Sequence, residues 1–284
     1  MSRRIFNRRR FLAGSAALLL SPASQTAGRT TQASSAEAIF KAAGVTGAFC
    51  LQELATGEQT VVFPRHVDLP FRPASTFKIP NTLIGLATGV IPNAELELPW
   101  DGRRRPFVEA WNRDHDLESA MKNSVLWYFE EIARRVGLAA YREYLTRFDY
   151  GNRDPSGHPT SFWLAGNLRI SVRQQASFLA RLLNGALDVP QRHLEVVRQI
   201  LPSAVQRGTT VRAKTGLCEQ GDRRVGWQVG WIERHRPTHS FAAVVLGDTA
   251  GAWRESPTFA ARRQVAPQLL HHFGQLPAEL PALR

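Results

Sequence analysis

Short runs of apolar and β-branched residues at the two ends of the chain predict the strands of a β-sheet. The stretch GAFCLQELATGEQTVVF, residues 47–63, contains two such runs around the turn signal Ala55-Thr56-Gly57. Two runs separated by a short break that contains glycine indicate a β-hairpin. After residue 201, the runs VRAKTGL, VGWQVGWIER and FAAVVLGDT predict further strands with turns between them.

The middle of the chain, from Ser75 to about Ile200, has a helical pattern instead. The stretches LESAMKNSVLWYFEEIARRVG and SVRQQASFLARLLNG carry apolar residues three and four positions apart, and both end in glycine. That spacing gives a helix one apolar face, and glycine commonly follows the end of a helix. A last amphipathic stretch, Thr258 to Phe273, is also predicted to be helical.

These elements together predict an α+β fold. The early hairpin and the late strands are expected to form one antiparallel β-sheet flanked by N- and C-terminal helices, with the helical middle as an inserted all-α lobe. Residues 36–284 are predicted to be one domain, because they show no internal repeat and no long low-complexity segment. A cleft is expected where the sheet meets the helical lobe, since pockets favour such junctions.

The first 35 residues are predicted to be a signal peptide and a flexible leader. The stretch NRRRFLAGSAALLLSPA joins a basic segment to an apolar run that is too short to span a bilayer. Arg8 and Arg9, followed by Phe11 and Leu12, resemble the twin-arginine type of signal, which exports folded proteins in bacteria. We therefore expect the twin-arginine export machinery as a partner, a periplasmic location and no stable membrane association after cleavage. An amphipathic surface helix is disfavoured because the apolar run covers all faces.

The formal charge of +12 does not indicate a nucleic-acid-binding protein. Part of it lies in the arginines of the first ten residues, and the rest is dispersed without interleaved aromatic residues.

Cys50 and Cys218 are the only cysteines; one disulfide and two buried free thiols are both compatible with an exported protein. The eight histidines have no HxH or HExxH spacing, so no metal site is predicted.

The most informative polar pair lies in PASTFKIP, residues 73–80, where Ser75 precedes Lys78 by three positions. The apolar residues that follow predict a buried helix with Ser75 in its first turn, where free backbone N–H groups favour developing negative charge. Residues i and i+3 share one helix face. A lysine that burial neutralises can act as a general base, whereas an N-cap serine beside a solvated lysine would be purely structural.

Three further elements follow along the chain. AKTGL, residues 213–217, combines the cation of Lys214, the hydroxyl of Thr215 and Gly216, which lets a ligand approach the backbone of a predicted strand. NSVLW places Ser124 before an apolar run, and DYGN, residues 149–152, predicts a turn. Each element alone is compatible with a structural role. The four elements in their order along the chain, PASTFKIP, NSVLW, DYGN and AKTGL, indicate a catalytic site.

With these elements and the FWL sequence around Trp163, the chain resembles the class D serine β-lactamases, the oxacillinase type. The resemblance extends through nearly all of residues 36–284, including DLESAMKNS and GWQVGWIE. It implies a penicillin-binding, transpeptidase-like β-lactamase domain that hydrolyses β-lactam antibiotics. Class A enzymes would have Ser-Asp-Asn where this chain has Ser124-Val125-Leu126. The family usually has valine at position 126, so Leu126 adds a methylene near the expected lysine pocket.

The resemblance also implies a role for each catalytic residue. Ser75 is the expected nucleophile, and Lys78 is expected to react with carbon dioxide or bicarbonate to become N6-carboxylysine, the general base. Trp163 is expected to hold the carbamate through its indole N–H. Ser124 would pass a proton to the leaving lactam nitrogen with help from Lys214. No cofactor or metal is implied besides the carbon dioxide.

The expected substrate-binding residues follow from the same resemblance. The backbone N–H groups of Ser75 and Leu217 would form the oxyanion hole. The substrate carboxylate would bind to Lys214, to Thr215 and to an arginine of the last helix, for which Arg263 is slightly preferred over Arg262. The residues expected to line or shape the pocket are Leu126, Tyr150, Asn152, Thr215, Gly216, Leu217, Arg262 and Arg263.

The main alternative is a protein that β-lactams acylate without turnover, namely a cell-wall transpeptidase or a β-lactam sensor domain. Such proteins share the Ser-x-x-Lys and Lys-Thr-Gly elements. A receptor would need transmembrane segments and a transpeptidase usually has an anchor or extra domains, neither of which this sequence predicts. A basic binding protein would not explain four catalytic-type elements, and a Ser-His-Asp hydrolase would need a Gly-x-Ser-x-Gly elbow.

Overall fold

The computed structural model describes residues 35–277, and its centre is one antiparallel β-sheet. The strands in these residues are β1 (Thr46–Glu53), β2 (Gln59–Val62), β3 (Ser203–Gln206), β4 (Thr209–Gln220), β5 (Arg223–Arg234) and β6 (Arg236–Asp248). Their order across the sheet is β2-β1-β6-β5-β4-β3. The predicted hairpin is β1 with β2, and β6 joins it to the late strands. The prediction that the early hairpin and the late strands form one sheet is thus confirmed. Strand β3 is an additional strand that the sequence did not predict.

Helices cover both faces of this sheet. The α-helices of the described residues are α1 (residues 35–42), α2 (Lys78–Ala87), α3 (Leu117–Lys122), α4 (Leu126–Val136), α5 (Leu138–Arg147), α6 (Val172–Leu183), α7 (Gln191–Ile200) and α8 (Pro257–His272). The terminal helices α1 and α8 pack on one face, where they share one apolar core with the sheet. The other helices form the inserted lobe, whose core is continuous with the opposite face. The predicted α+β architecture is confirmed.

Strand β5 shows why the two faces of the sheet differ. The side chains that face the helical lobe are large and buried: Val225, Trp227, Val229 and Trp231. On the other face a Cβ added to Gly226 would lie 2.9 Å from Cβ of Arg262 and 3.0 Å from Cγ2 of Thr258. The missing side chain therefore lets α8 approach closely, which brings the arginines of α8 beside the end of β4.

Residues 117–137, which the periodicity predicted as one helix, form two helices. Helix α3 ends at Lys122 and α4 begins at Leu126. Between them Ser124 has a φ of 56°, outside the range of a right-handed helix, and the amide of Val125 donates to the carbonyl of Ala120. The apolar spacing continues across the break, so the pattern alone did not reveal it.

The predicted signal and leader lie almost wholly outside the described residues, as do residues 278–284. Among residues 35–277, every helix is too short or too polar to cross a membrane. Cys50 and Cys218 are both buried and both free, which decides between the two alternatives for these thiols.

Candidate active site

The predicted serine and lysine meet at the start of α2. Ser75 lies in a 3₁₀ turn, Ala74–Phe77, directly before this helix, and Lys78 is the first residue of α2. Nζ of Lys78 lies 3.0 Å from Oγ of Ser75. The lysine side chain is only 1% exposed, whereas Ser75 is partly exposed. The pair therefore combines an accessible hydroxyl with a buried amine at hydrogen-bond distance.

Burial changes the protonation of Lys78. It lowers the pKa of the amine from 10.5 to about 7, against a smaller opposite effect of the Glu130 carboxylate. The amine lies 5.1 Å from the ring centroid of Phe129, a residue of α4 that the sequence did not predict. Its signal was available, because Phe129 lies four positions after Val125 on the apolar face of α4. Near neutral pH a large fraction of this amine is uncharged.

Trp163 is fully buried next to the serine turn. Its ring stacks on Phe77, with centroids 5.2 Å apart and an angle of 20° between the planes. Its backbone carbonyl accepts a hydrogen bond from the amide of Ala74 at 3.0 Å. The indole N–H has no hydrogen-bond partner among the described residues. A buried donor of this kind costs about 1–3 kcal/mol when unsatisfied, so it is suited to bind a small acceptor.

The second serine and lysine form a similar pair on the other side of the site. Nζ of Lys214 donates to Oγ of Ser124 at 3.0 Å and to the carbonyl of Thr215 at 3.0 Å. Lys214 is 3% exposed. Its burial, followed by the charge of Lys78, lowers the pKa of its amine well below the usual value. The turn at Ser124, between α3 and α4, is what directs this hydroxyl to β4.

Gly216 allows β4 to lie directly against the serine turn. A Cβ at this position would lie 3.1 Å from the carbonyl oxygen of Pro73, 3.2 Å from Cβ of Ala74 and 3.2 Å from the amide nitrogen of Ser75. Any larger residue would push the strand away from the turn. The next residue, Leu217, lines the same cleft as Ser75. The main chain of the turn and that of the strand therefore border one small space.

These groups open into a cleft of about 460 Å³ between the sheet and the helical lobe, where the sequence predicted one. The predicted residues on its wall, besides two arginines, are Ser75, Ser124, Leu126, Thr215, Gly216 and Leu217. The sequence did not predict the large apolar side chains that also line it: Phe107, Trp111, Leu164 and Trp253. Most of these come from loops, whose paths cannot be derived from periodicity.

Both arginines of α8 line the cleft, but they differ in their contacts. Arg262 is 7% exposed, lies 3.9 Å from the ring centroid of Phe259 and donates to the carbonyl of the same residue. Burial lowers the pKa of Arg262 to about 10. Arg263 is exposed and has no hydrogen bond or ion pair with any residue of the range 35–277. Arg263 is therefore the cation that is available to an anionic ligand.

Tyr150 and Asn152, which the sequence predicted to shape the pocket, do not line the cleft. Tyr150 is fully buried; its hydroxyl donates to the amide oxygen of Gln175 at 3.3 Å and its ring packs edge-on against Phe77. The side-chain amide nitrogen Nδ2 of Asn152 donates to the backbone carbonyl of Asn167 at 2.8 Å. Both side chains are used to anchor the loop behind the serine turn, and this explains why neither reaches the cleft.

Comparisons with known proteins show the family to which the chain belongs. A family model described as the penicillin binding protein transpeptidase domain matches residues 53–270. The chain is 36% identical to β-lactamase OXA-10 of Pseudomonas aeruginosa over 219 residues, which are 76% of this chain and 82% of that protein. It is 45% identical to β-lactamase OXA-48 of Klebsiella pneumoniae over 163 residues, 57% of this chain; the match spans only 61% of that relative's length.

A solved structure shows the same fold. The class D β-lactamase YbXI from Nostoc superposes with a TM-score of 0.78 and 32% sequence identity. The match covers 85% of this chain and 99% of that protein. The likeness therefore includes both the sheet and the inserted helical lobe.

Proposed function

Since this chain belongs to the penicillin-binding protein transpeptidase-domain family and, within it, to the class D β-lactamases, we propose that it hydrolyses β-lactam antibiotics through an acyl-enzyme on Ser75. The observation that carries the proposal is the convergence of two serine–lysine pairs on one cleft. Ser75 and Lys78 are 3.0 Å apart, as are Ser124 and Lys214. A nucleophilic hydroxyl needs a base at this distance. The biological consequence would be resistance to β-lactams.

We also propose that Lys78 is carboxylated. Its buried amine is partly uncharged near neutral pH, so the nitrogen can attack carbon dioxide; an N–C bond forms and one proton leaves to solvent. The unpartnered indole N–H of Trp163 supports this proposal because it offers a buried donor beside the serine turn. When present, the carboxyl group supplies a general base next to Ser75.

The two serines divide the acylation step between them. Oγ of Ser75 forms a bond to the lactam carbonyl carbon while its proton passes to the general base at Lys78, and the backbone N–H groups of Ser75 and Leu217 stabilise the negative charge on the carbonyl oxygen. The C–N bond of the lactam then breaks. Ser124 donates its proton to the departing nitrogen and recovers one from Lys214, whose lowered pKa favours that transfer.

The rim of the cleft is suited to the carboxylate that β-lactams carry. Thr215 and Arg263 line the cleft from β4 and α8, and Arg263 has no competing partner among the described residues. Lys214 is buried behind this wall, where its amine donates to Ser124 and to the carbonyl of Thr215. Arg262 adds positive potential from a buried position. Leu126 lines the cleft on the side of α4, and its additional methylene relative to valine would restrict the approach of the hydrolytic water.

Turnover distinguishes this function from that of a sensor or a transpeptidase. The purified protein should hydrolyse many equivalents of nitrocefin, whereas a protein that is only acylated would give one burst equal to its concentration. Ser75→Ala should lose both turnover and labelling by a fluorescent penicillin. Ser203→Ala, an exposed serine on β3, serves as the control. Retained labelling of Ser75→Ala would remove this serine as the nucleophile.

Carboxylation of Lys78 has a separate test. In buffer depleted of carbon dioxide, activity should fall as the pH drops below the lysine pKa of about 7, because protonated amine cannot react with carbon dioxide. Added bicarbonate should restore it. Activity that is indifferent to bicarbonate at every pH would contradict the carboxylated lysine but not the serine nucleophile.

We propose, finally, that residues 1–35 direct twin-arginine export to the periplasm, where β-lactams act. The basis is the sequence alone, Arg8 and Arg9 before an apolar run. Changing both arginines to lysine should retain the protein in the cytoplasm of a bacterial host. Periplasmic activity that persists in this variant would contradict the proposed export route.

A further inference from the structure

A buried polar pair, Asn81 and Tyr141, lies behind the proposed general base. The hydroxyl of Tyr141 donates to Oδ1 of Asn81 at 2.6 Å, and Nδ2 of Asn81 donates to the carbonyl of Phe129 at 3.3 Å. All three residues are fully buried. Asn81 lies on α2 three positions after Lys78, Phe129 lies on α4 and Tyr141 lies on α5. The pair thus joins the three helices that surround the lysine.

The amide of Asn81 fixes one wall of the lysine pocket. The residue whose carbonyl it binds, Phe129, has its ring 5.1 Å from Nζ of Lys78. The hydrogen bond therefore holds α4 at a set distance from α2, and this distance decides how closely the ring covers the amine.

The ring of Tyr141 supports a second wall. It packs against Phe77 and Phe162, with centroid distances of 6.0 and 5.0 Å. Both of these rings pack in turn on Trp163, at 5.2 and 5.1 Å. One side chain therefore supports the indole through its ring and, through its hydroxyl and Asn81, the wall that Phe129 forms.

We infer that the hydrogen bond between Tyr141 and Asn81 sets the degree to which Lys78 is carboxylated. Both groups act as positioning residues, because neither lines the cleft or touches the reacting atoms. The amine stays uncharged only while its apolar walls exclude water, and Trp163 can hold a carboxyl group only in one place. This inference rests on the proposed carboxylation of Lys78.

Tyr141→Phe tests the inference because it removes the hydroxyl and keeps the ring. The amide oxygen of Asn81 is then unpaired in the core, which favours an opening of the helices to water. The bicarbonate concentration that gives half-maximal nitrocefin hydrolysis should rise about tenfold, as expected for the loss of one buried hydrogen bond. The ¹³C NMR signal of the protein in labelled bicarbonate should weaken at a fixed, limiting bicarbonate concentration. KM for nitrocefin at saturating bicarbonate should not change.

Tyr128→Phe is the matched control. Tyr128 is equally buried on α4, and its hydroxyl donates to the carbonyl of Leu96 at 2.7 Å rather than to the Asn81 pair. It should lose similar thermal stability without a change in bicarbonate requirement. The inference would be overturned if the bicarbonate concentration for half-maximal activity rose equally in both variants, or did not rise in Tyr141→Phe.

A double variant guards against misfolding of the single one. Tyr141→Phe combined with Asn81→Leu replaces both polar partners by apolar groups, which is often nearly neutral for stability. A rise in bicarbonate requirement is still expected, because the carbonyl of Phe129 loses the Asn81 donor that holds α4 to α2, and its absence would also refute the inference. If the unaltered protein shows neither bicarbonate dependence nor a carbamate signal, then the carboxylation itself is wrong.

Discussion

Lys78 is a lysine that the fold buries without an ion pair. No salt bridge within residues 35–277 involves it, and burial lowers the pKa of its amine to about 7. Taking an ammonium group out of water costs free energy, so this residue is expected to destabilise the native state. Chemistry of the amine, rather than folding, therefore explains its presence among apolar side chains.

This cost predicts the behaviour of Lys78→Met. Between pH about 7 and the ordinary lysine pKa of 10.5, the unfolded chain binds more protons than the folded one, so the stability of the unaltered protein rises with pH. The slope approaches about 1.4 kcal/mol per pH unit. The methionine variant lacks this term. The free energy of unfolding of Lys78→Met should therefore exceed that of the unaltered protein most below pH 7, and the difference should shrink above pH 7. Urea unfolding in buffer free of carbon dioxide measures it. Parallel curves would mean that the amine is not buried as described.

Trp163 contributes both a packed ring and an unpartnered N–H group, and Trp163→Phe separates the two. Phenylalanine can still stack on Phe77 but cannot donate a hydrogen bond. We expect acylation by penicillins to continue and deacylation to slow by on the order of a hundredfold, the range of one general base. Intact-mass spectrometry after quenching should show accumulated acyl-enzyme. Trp231→Phe, whose indole instead donates to Glu233, should deacylate normally.

At this scale the sequence predicted the proposed reacting groups better than their surroundings. The order of motifs led to Ser75, Lys78, Ser124 and Lys214, and these side chains do meet in two pairs. Phe129 was missed because its position on the apolar face of α4 predicts burial but does not tell which polar group its ring will cover. The sequence could not show that Tyr150 and Asn152 lie behind the wall of the cleft, because a turn motif does not tell which side of the turn will face it.

At the scale of elements, the serine turn depends on the strand beside it. Gly216 leaves just enough room for β4 to pass Pro73 and Ser75, and Ala74 occupies the left-handed region with a φ of 50°. Non-glycine residues in that region are strained by about 1 kcal/mol or more. The turn therefore holds its shape because β4 and the carbonyl of Trp163 fix it from outside.

Gly216→Ala should disturb catalysis more than folding. The new methyl group would lie 3.1–3.2 Å from atoms of the turn, so neighbours must move by a few tenths of an ångström. That shift changes the distance between the Ser75 and Leu217 amides, on which the proposed stabilisation of the oxyanion depends. We expect kcat/KM to fall by at least about tenfold while the melting temperature changes little. A variant with full activity would show that the strand and turn are not closely apposed.

Element boundaries were predictable where a cap marked them and not elsewhere. Helix α4 ends at Val136 and is followed by Gly137, which has a φ of 79°. The final helix starts within one residue of its predicted position. The break between α3 and α4 has no such residue. It is formed by Ser124 in the left-handed region. The hydrogen bond from Lys214 stabilises this conformation, but it exists only in the folded protein, where β4 lies next to the turn.

At the scale of the whole molecule, the cleft is a boundary between two lobes that the sequence correctly separated. Its loops were beyond prediction, because their paths depend on contacts made by distant residues. Arg224 of β5 is the clearest example. It is 2% exposed and donates to the carbonyls of four successive residues, Thr249, Ala250, Gly251 and Ala252.

This arginine shapes the rim of the cleft from behind. The loop that it holds continues into Trp253, which lines the cleft and whose ring centroid lies 5.6 Å from the Arg224 guanidinium carbon. The next residue, Arg254, donates to the carbonyl of Phe107 in the other lobe. A buried guanidinium with several carbonyl acceptors is a strong tether, since hydrogen bonds of charged groups contribute about 1.5–3 kcal/mol each. The two lobes are therefore connected across the cleft through a loop that depends on one side chain.

Arg224→Met should release this loop while leaving the serine–lysine pairs in place. The carbonyls of residues 249–252 would lose their common donor, so the segment would open more often, and the peptide bond after the already exposed Arg254 could then adopt the extended shape that trypsin cleaves. We expect cleavage after Arg254 to become on the order of tenfold faster, and KM for penicillins to rise severalfold with a nearly unchanged kcat. Arg223→Met, the exposed neighbour on the same strand, should behave like the unaltered protein in both assays. If Arg224→Met resists trypsin equally well, the loop is held by its other contacts, and the rim does not depend on the buried arginine.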